Sequence, residues 1–278
     1  MSKPDINLPF FAYGIFRQGE IAYFQITDFV KNVESNKSIK GKLMFRDGLY
    51  IIDKNGGVTV EGDLIWFKEN KAQLAYDHIN GLEPDKHYSW ASIDLNNQNV
   101  NVLYGKSPGK GTSDCNEVNS WRDPLFTDAI EVVGEILNDN KQFNNFKNLF
   151  KIQMAYLLLW SSIERYTSLR YHLGKNSTNK INNLATENAF IVALKQHALE
   201  RRTVFSTVNP AADKEILNSA NPQKSLDYYY QIRSNITHRG KGVHKDFDMV
   251  YKSLDELLKI FTDVMAEAQI EAKIRTSK

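Results

Sequence analysis

Residues 143–171 read FNNFKNLFKIQMAYLLLWSSIERYTSLRY. Phe146, Leu149, Phe150, Met154, Leu157, Ile163, Tyr166 and Leu169 recur at three- and four-residue steps, and neither glycine nor proline interrupts them. That period predicts one long amphipathic helix, ending near Leu173-Gly174. A helix of this length needs partners to cover its apolar face, and the flanking sequence offers them. Residues 124–137 read as a preceding helix. Residues 184–204 read as a helical segment, introduced by Thr186-Glu187 and stopped before Asn209-Pro210. A third helix begins near Ser225, runs through Tyr228, Tyr229, Tyr230 and Arg233, and ends at Gly240. The last, 246–272, places Phe247, Val250, Tyr251, Leu254, Leu257, Leu258, Phe261, Val264, Met265 and Ala268 on one side. Residues 124–278 therefore predict an all-α helical bundle.

Toward the N-terminus the pattern changes. Short apolar runs at 8–15, 41–45, 49–52, 58–67, 87–95 and 100–103 are separated by turn signals, including Lys54-Asn55-Gly56-Gly57 and Asn96-Asn97. Glycine and asparagine tolerate positive φ, so both sites suit tight hairpins. Residues 68–78 are the helix candidate within this β-rich region. The stretch 105–123, GKSPGKGTSDCNEVNSWRD, has no apolar period and reads as a linker. The expectation is an α+β multidomain chain: a β domain at 1–105, a linker at 106–123 and a helical bundle at 124–278.

At 278 residues, with 42% hydrophobic and 24% charged residues, the chain has the composition of a folded globular protein of about two domains. The longest apolar run, 154–160, is far short of the ~20 residues a membrane span needs. Residues 1–17 are broken by Pro4, Asp5 and Pro9 and do not read as a secretory leader. Cys115, the only cysteine, has no intrachain disulfide partner, so a reducing cytoplasm is the expected location. Residues 1–123 carry a net charge of −2 and residues 124–278 a net +4, which turns the second half toward an anionic partner. His78 and His87 lack metal-ligand spacing with the cysteine or a third histidine, so both read as surface residues and no metal or other cofactor is expected.

The segment Tyr230-Gln231-Ile232-Arg233-Ser234-Asn235-Ile236-Thr237-His238-Arg239-Gly240-Lys241 combines an arginine and a histidine, with four residues between them, at the end of the penultimate helix. A second match, Arg239 to His244, shows how cheap the bare pattern is. A five-residue step turns about 140° around a helix, so Arg233 and His238 do not share one face. Read plainly, they are cations at a helix C-terminus, favoured by its unpaired carbonyls.

In context the segment resembles the signature of HEPN domains, whose helical bundle also places a long helix early and another last. The resemblance covers about 150 residues. It implies a homodimer through the helical domain, with the motifs of two copies facing each other across a two-fold axis. It also implies metal-independent RNA cleavage: histidine serves as acid or base, and arginine offers a charged fork to the phosphate. The RNA would be left with a 2′,3′-cyclic phosphate end. On this reading Arg233 and His238 are catalytic, and Asn235, Arg239, Lys241 and Lys245 contact substrate. The partners implied are RNA, tRNA among the targets, and an inhibitor protein of the toxin or anti-phage kind.

The segment Phe10-Phe11-Ala12-Tyr13-Gly14-Ile15-Phe16-Arg17 resembles the Tyr-Gly-x-x-Arg opening of γ-glutamylcyclotransferase-like (AIG2-like) proteins. Val60-Glu61-Gly62-Asp63-Leu64 resembles that family's Val-x-Gly-x-Leu strand, and Tyr76-Asp77-His78-Ile79-Asn80-Gly81 its Leu-Asp-x-x-Glu-Gly segment. The resemblance implies a small β-barrel with a ligand pocket lined by Tyr13, Gly14, Arg17 and Asn80. Asn80 stands where the family has its catalytic glutamate, and an amide cannot shuttle a proton. Glu83, three residues on, is a candidate substitute. The competing expectations are a ribonuclease, a non-catalytic RNA- or nucleotide-binding protein, and an active cyclotransferase, the last disfavoured by Asn80.

Overall fold

The computed structural model describes residues 3–46, 49–83, 87–106, 113–114, 123–171, 177–206, 214–239 and 244–275. Two compact units are present, one of Met1–Arg122 with Gln269–Lys278 and the other of Asp123–Ala268. The end of the last helix thus clusters with the first unit, where the sequence reading placed it with the second.

The first unit is built on strands β1 (Phe10–Ala12), β2 (Val30–Arg46), β3 (Leu49–Phe67), β4 (Tyr88–Leu95), β5 (Gln98–Gly105) and β6 (Ser113–Asp114), with helix α1 (Ala72–Leu82) between β3 and β4. They form one sheet in the order β4-β5-β1-β3-β2-β6. The β1–β5 ladder is parallel and the others antiparallel, so the sheet is mixed. The expected barrel is corrected: among the described residues the order is linear and no ladder joins its ends. The last edge, β6, contributes only two residues, too few to close a barrel.

The turn signals divide. Asn96 and Asn97 both have positive φ, 54° and 68°, and join β4 to β5 as expected. Lys54–Gly57 does not make a hairpin. It lies inside β3, where the ladder jumps from Gly41↔Val58 to Lys42↔Asp53, so four residues bulge from one continuous strand. A Cβ on Gly56 would lie 2.2 Å from Lys42 Cβ, which accounts for glycine there. Gly62 has a similar cause: a Cβ would meet the Ala12 carbonyl oxygen and Phe11 Cζ, each at 2.5 Å, at the end of the β1–β3 ladder.

Helix α1 buries Ala72, Ala75, Tyr76 and Ile79, a three-and-four spacing. Tyr76 packs edge-on against Phe67 and Trp90. Its hydroxyl donates to Leu8 O at 2.7 Å and accepts from Asn101 Nδ2 at 2.7 Å, and the same amide donates to Asp5 O. Buried polar atoms thus tie the N-terminal segment to β5. Of the two histidines read as surface residues, His87 is buried, and its carbonyl accepts from Arg46. His78 is partly buried against Phe29 and Gln25, and burial lowers its pKa.

The second unit holds α2 (Asp128–Asp139), α3 (Phe146–Tyr171), α4 (Ser177–Leu184), α5 (Asn188–His197), α6 (Pro222–Arg239) and, as far as Ala268, α7 (His244–Arg275). It is not all-α. Strands β7 (Arg202–Phe205) and β8 (Lys214–Leu217) form a hairpin where the sequence predicted helix through Val204. Helical character stops at His197. Helix α6 opens with proline at its first position, and Asn221 Oδ1 caps the Lys224 amide at 3.1 Å.

The hairpin is pinned to the helices by a partly buried polar group. Arg202 on β7 makes a bidentate pair with Glu256 on α7. The Tyr229 hydroxyl also donates to Glu256, and the Tyr228 hydroxyl lies 3.3 Å from Arg202 Nε and 3.1 Å from Ser253 Oγ. Burial opposes the Arg202 charge, but its bonds to Glu256 and Tyr228 outweigh that and raise its pKa.

The long helix departs from its sequence reading in one respect. Its buried face is Leu149, Ile152, Tyr156, Leu159, Trp160, Ile163 and Tyr166, whereas Phe146, Phe150 and Met154 are 57%, 52% and 69% exposed. The N-terminal part of α3 is apolar on two sides, and periodicity cannot say which one is covered.

Candidate functional site

Helix α6 runs uninterrupted to Arg239, so Arg233 and His238 sit on its last two turns. The spacing argument holds. The Arg233 side chain turns toward α3, with Nη2 3.7 Å from Glu164 Oε1 and the guanidinium 5.9 Å from the Tyr230 ring centre. It is only partly exposed, while His238 is exposed on another side of the helix. One chain does not bring them together.

Glu164 is itself oriented: its Oε1 accepts the Trp160 indole N–H at 2.9 Å, and the Trp160 and Tyr230 rings lie 5.8 Å apart. Around this group Glu164, Ile181, Asn182, Leu226, Asp227, Tyr230 and Arg233 line a pocket of about 130 Å³. Its floor is apolar, from Ile181 and Leu226, and its rim carries two carboxylates, an amide and a guanidinium. Asp227 Oδ1 accepts from Gln223 Nε2 at 3.0 Å, and the same amide nitrogen donates to Asn182 Oδ1.

Asn235, expected at the substrate, is buried. Its Nδ2 donates to Phe205 O at 2.9 Å and its Oδ1 accepts from Gln231 Nε2 at 2.8 Å. The amide ties β7 to α6, which gives Asn235 a structural task whatever its part at the expected substrate contact. The expectations for Arg239, Lys241 and Lys245 concern side chains outside the described residues.

In the first unit, Tyr13 is buried, and its hydroxyl is pushed well above the usual range by burial and then by the charge of Glu83. The Arg17 amide closes a turn onto Gly14 O at 3.0 Å, and Arg17 Nε lies 3.8 Å from Asp63 Oδ2, which also accepts the Gln18 amide at 2.8 Å. Burial raises the pKa of Asp63, with Arg17 and the Gln18 amide opposing. Asn80 Oδ1 accepts the Trp90 indole N–H at 2.6 Å, so this amide holds a tryptophan in place. Among the described residues no group of three or more His, Cys, Asp or Glu side chains is placed to hold a metal ion. No described helix is long and apolar enough to cross a membrane.

Comparison of the chain with family models, with curated proteins and with solved structures gives no match.

Sequence reasoning missed Glu164, Asp227, Tyr230 and Asn182. The signal for the first was present: Glu164 is the only acidic residue in α3. Asp227, Tyr230 and Arg233 follow at three-residue steps and so lie along one side of α6. Asn182, across the pocket, carried no local signal.

Proposed function

We propose that the helical unit is a HEPN-like, metal-independent endoribonuclease whose active site is composed of Arg233 and His238 from two copies of the chain. The observation that carries this reading is their placement: both are accessible near the end of α6, yet directed to different sides of it. A two-fold axis beside α6 would put the arginine of one copy opposite the histidine of the other. The exposed Phe146, Phe150 and Met154 stripe supports association, because contiguous exposed apolar side chains on a helix mark an interaction surface.

In this site a neutral histidine takes the proton of an RNA 2′-hydroxyl. The oxygen then attacks the adjacent phosphorus, and the 5′-oxygen leaves with a proton from a protonated histidine. The products are a 2′,3′-cyclic phosphate and a 5′-hydroxyl. Arg233, preset by Glu164 and Tyr230, stabilises the charge gathering on the phosphorane oxygens.

The first unit, by its resemblance to γ-glutamylcyclotransferase-like proteins, is inferred to bind a ligand or a partner on its open sheet rather than to turn over a γ-glutamyl substrate. The bond from Trp90 to Asn80 supports this, since it fills the acid's position with a structural contact. A cytoplasmic toxin or anti-phage role, acting on RNA such as tRNA, follows from the nuclease reading.

The test is cleavage of total RNA and tRNA by purified protein in EDTA, with Arg233→Ala and His238→Ala as controls and with product ends mapped. Cyclic-phosphate ends that disappear in both variants are expected. A folded wild-type dimer that leaves RNA intact, or products with 3′-hydroxyl ends, would overturn the assignment.

A further inference from the structure

We infer that the pocket beside Arg233 reads a guanine base, so that the proposed nuclease cuts its RNA next to G. This rests on the nuclease reading for its cleavage arm only, because the pocket's binding chemistry stands independently. At about 130 Å³ the pocket is well below the ~300 Å³ at which drug-sized ligand sites begin, so it takes one ring system rather than a whole ligand. Ile181 and Leu226 give it an apolar floor, and the half-exposed Tyr230 ring gives a stacking wall.

The rim decides which ring. Asp227 and Glu164 are acceptors. Glu164 is already engaged by Trp160 and faces Arg233, whereas Asp227 Oδ1 accepts one bond from Gln223 and keeps a second lone pair, so both oxygens of this carboxylate can still accept. The pocket therefore asks for neighbouring N–H donors to meet the Asp227 carboxylate. Among the four RNA bases only guanine carries two adjacent donors, N1–H and the N2 amine, matched to the two oxygens of one carboxylate. Cytosine and adenine place an acceptor beside their amine, and uracil has a single N–H. Unstacked bases are read in this way, by their Watson–Crick edge and by an aromatic face.

An organic cation would also suit two carboxylates and a tyrosine ring. Arg233 argues against it, since the guanidinium lines the same pocket and would repel a second positive charge. The same guanidinium favours a ligand that joins a planar donor edge to a phosphate, which describes a nucleotide.

The experiment measures binding of 5′-GMP, 5′-AMP, 5′-CMP and 5′-UMP, and of agmatine as a cation probe, to the full-length protein by calorimetry. The wild type is expected to prefer GMP by roughly tenfold, within what a bidentate side chain–base pair contributes. Asp227→Asn should abolish that preference, and Tyr230→Ala should weaken all four nucleotides. Equal affinities, a preference for another base, or agmatine binding above GMP would overturn the proposal. Two outcomes separate it from the nuclease reading. Selective GMP binding without RNA cleavage keeps the guanine pocket and removes the nuclease. Cleavage with no GMP binding and no G at the cut sites keeps the nuclease and removes the pocket.

Discussion

Replacing Glu256 with alanine should destabilise the second unit more than any single surface change. The substitution leaves the Arg202 guanidinium, whose side chain is only 15% exposed, with the exposed Glu200 at 3.9 Å as its remaining carboxylate, and takes the acceptor from the Tyr229 hydroxyl. Removing one partner of a buried ion pair costs about 3–5 kcal/mol, most of it from the charge left behind. Both side chains here keep a little solvent contact, so the lower end, about 3 kcal/mol, applies. For a unit of this size that lowers the midpoint by roughly 6 to 12 °C. Scanning calorimetry of the full chain is the assay, with circular dichroism confirming that helix content survives below the transition. The double variant Arg202→Met with Glu256→Leu should recover most of the loss, because it removes both charges and refills the space. If Glu256→Ala melts within about 2 °C of wild type, or the double variant melts no higher than the single one, the pair does not anchor the hairpin and the reasoning fails.

Three further outcomes follow from other contacts. Gly62→Ala places a methyl 2.5 Å from the Ala12 carbonyl and should cost about 1–3 kcal/mol, measured by denaturant unfolding; an unchanged midpoint would show that β1 yields. Asn235→Ala should lose about 1–3 kcal/mol through the unpaired Phe205 carbonyl, measured by denaturant unfolding; an unchanged midpoint would show that the amide does not hold β7 to α6. The pKa of His78 is lowered by burial, so the folded state favours its neutral form. Its contribution is present above the ordinary value of 6.5 and is lost as pH falls through the folded value. His78→Gln should therefore flatten the acid limb of a stability–pH curve below that point, and an identical limb would count against it.

How much was legible depended on whether local chemistry or distant contact set the outcome. The helices at 146–171, 222–239 and 244–275 announced themselves because their apolar spacing is local. The Asn96-Asn97 turn did so because two residues tolerant of positive φ sit side by side. Lys54–Gly57 misled for the same reason in reverse: its Gly56 serves a close approach by Lys42, from the partner strand, rather than a turn. The hairpin at 202–217 was invisible because what holds it is a pair between Arg202 and Glu256, 54 residues apart. At the candidate site the arginine and histidine were readable as a motif, whereas the pocket was not, since Asn182 and Glu164 reach it from other helices.

The three residues of β1 have a consequence for how the first unit assembles. β2 pairs with β3 and β4 with β5, and among the described residues no ladder links the two pairs except through Phe10–Ala12. The chain's earliest strand is therefore a splice that can be locked in only after residues near 101 have left the ribosome. A chain lacking its first dozen residues would carry two unprotected hairpin edges prone to self-association. A synthetic peptide of that sequence, added back, would restore the sheet by strand donation.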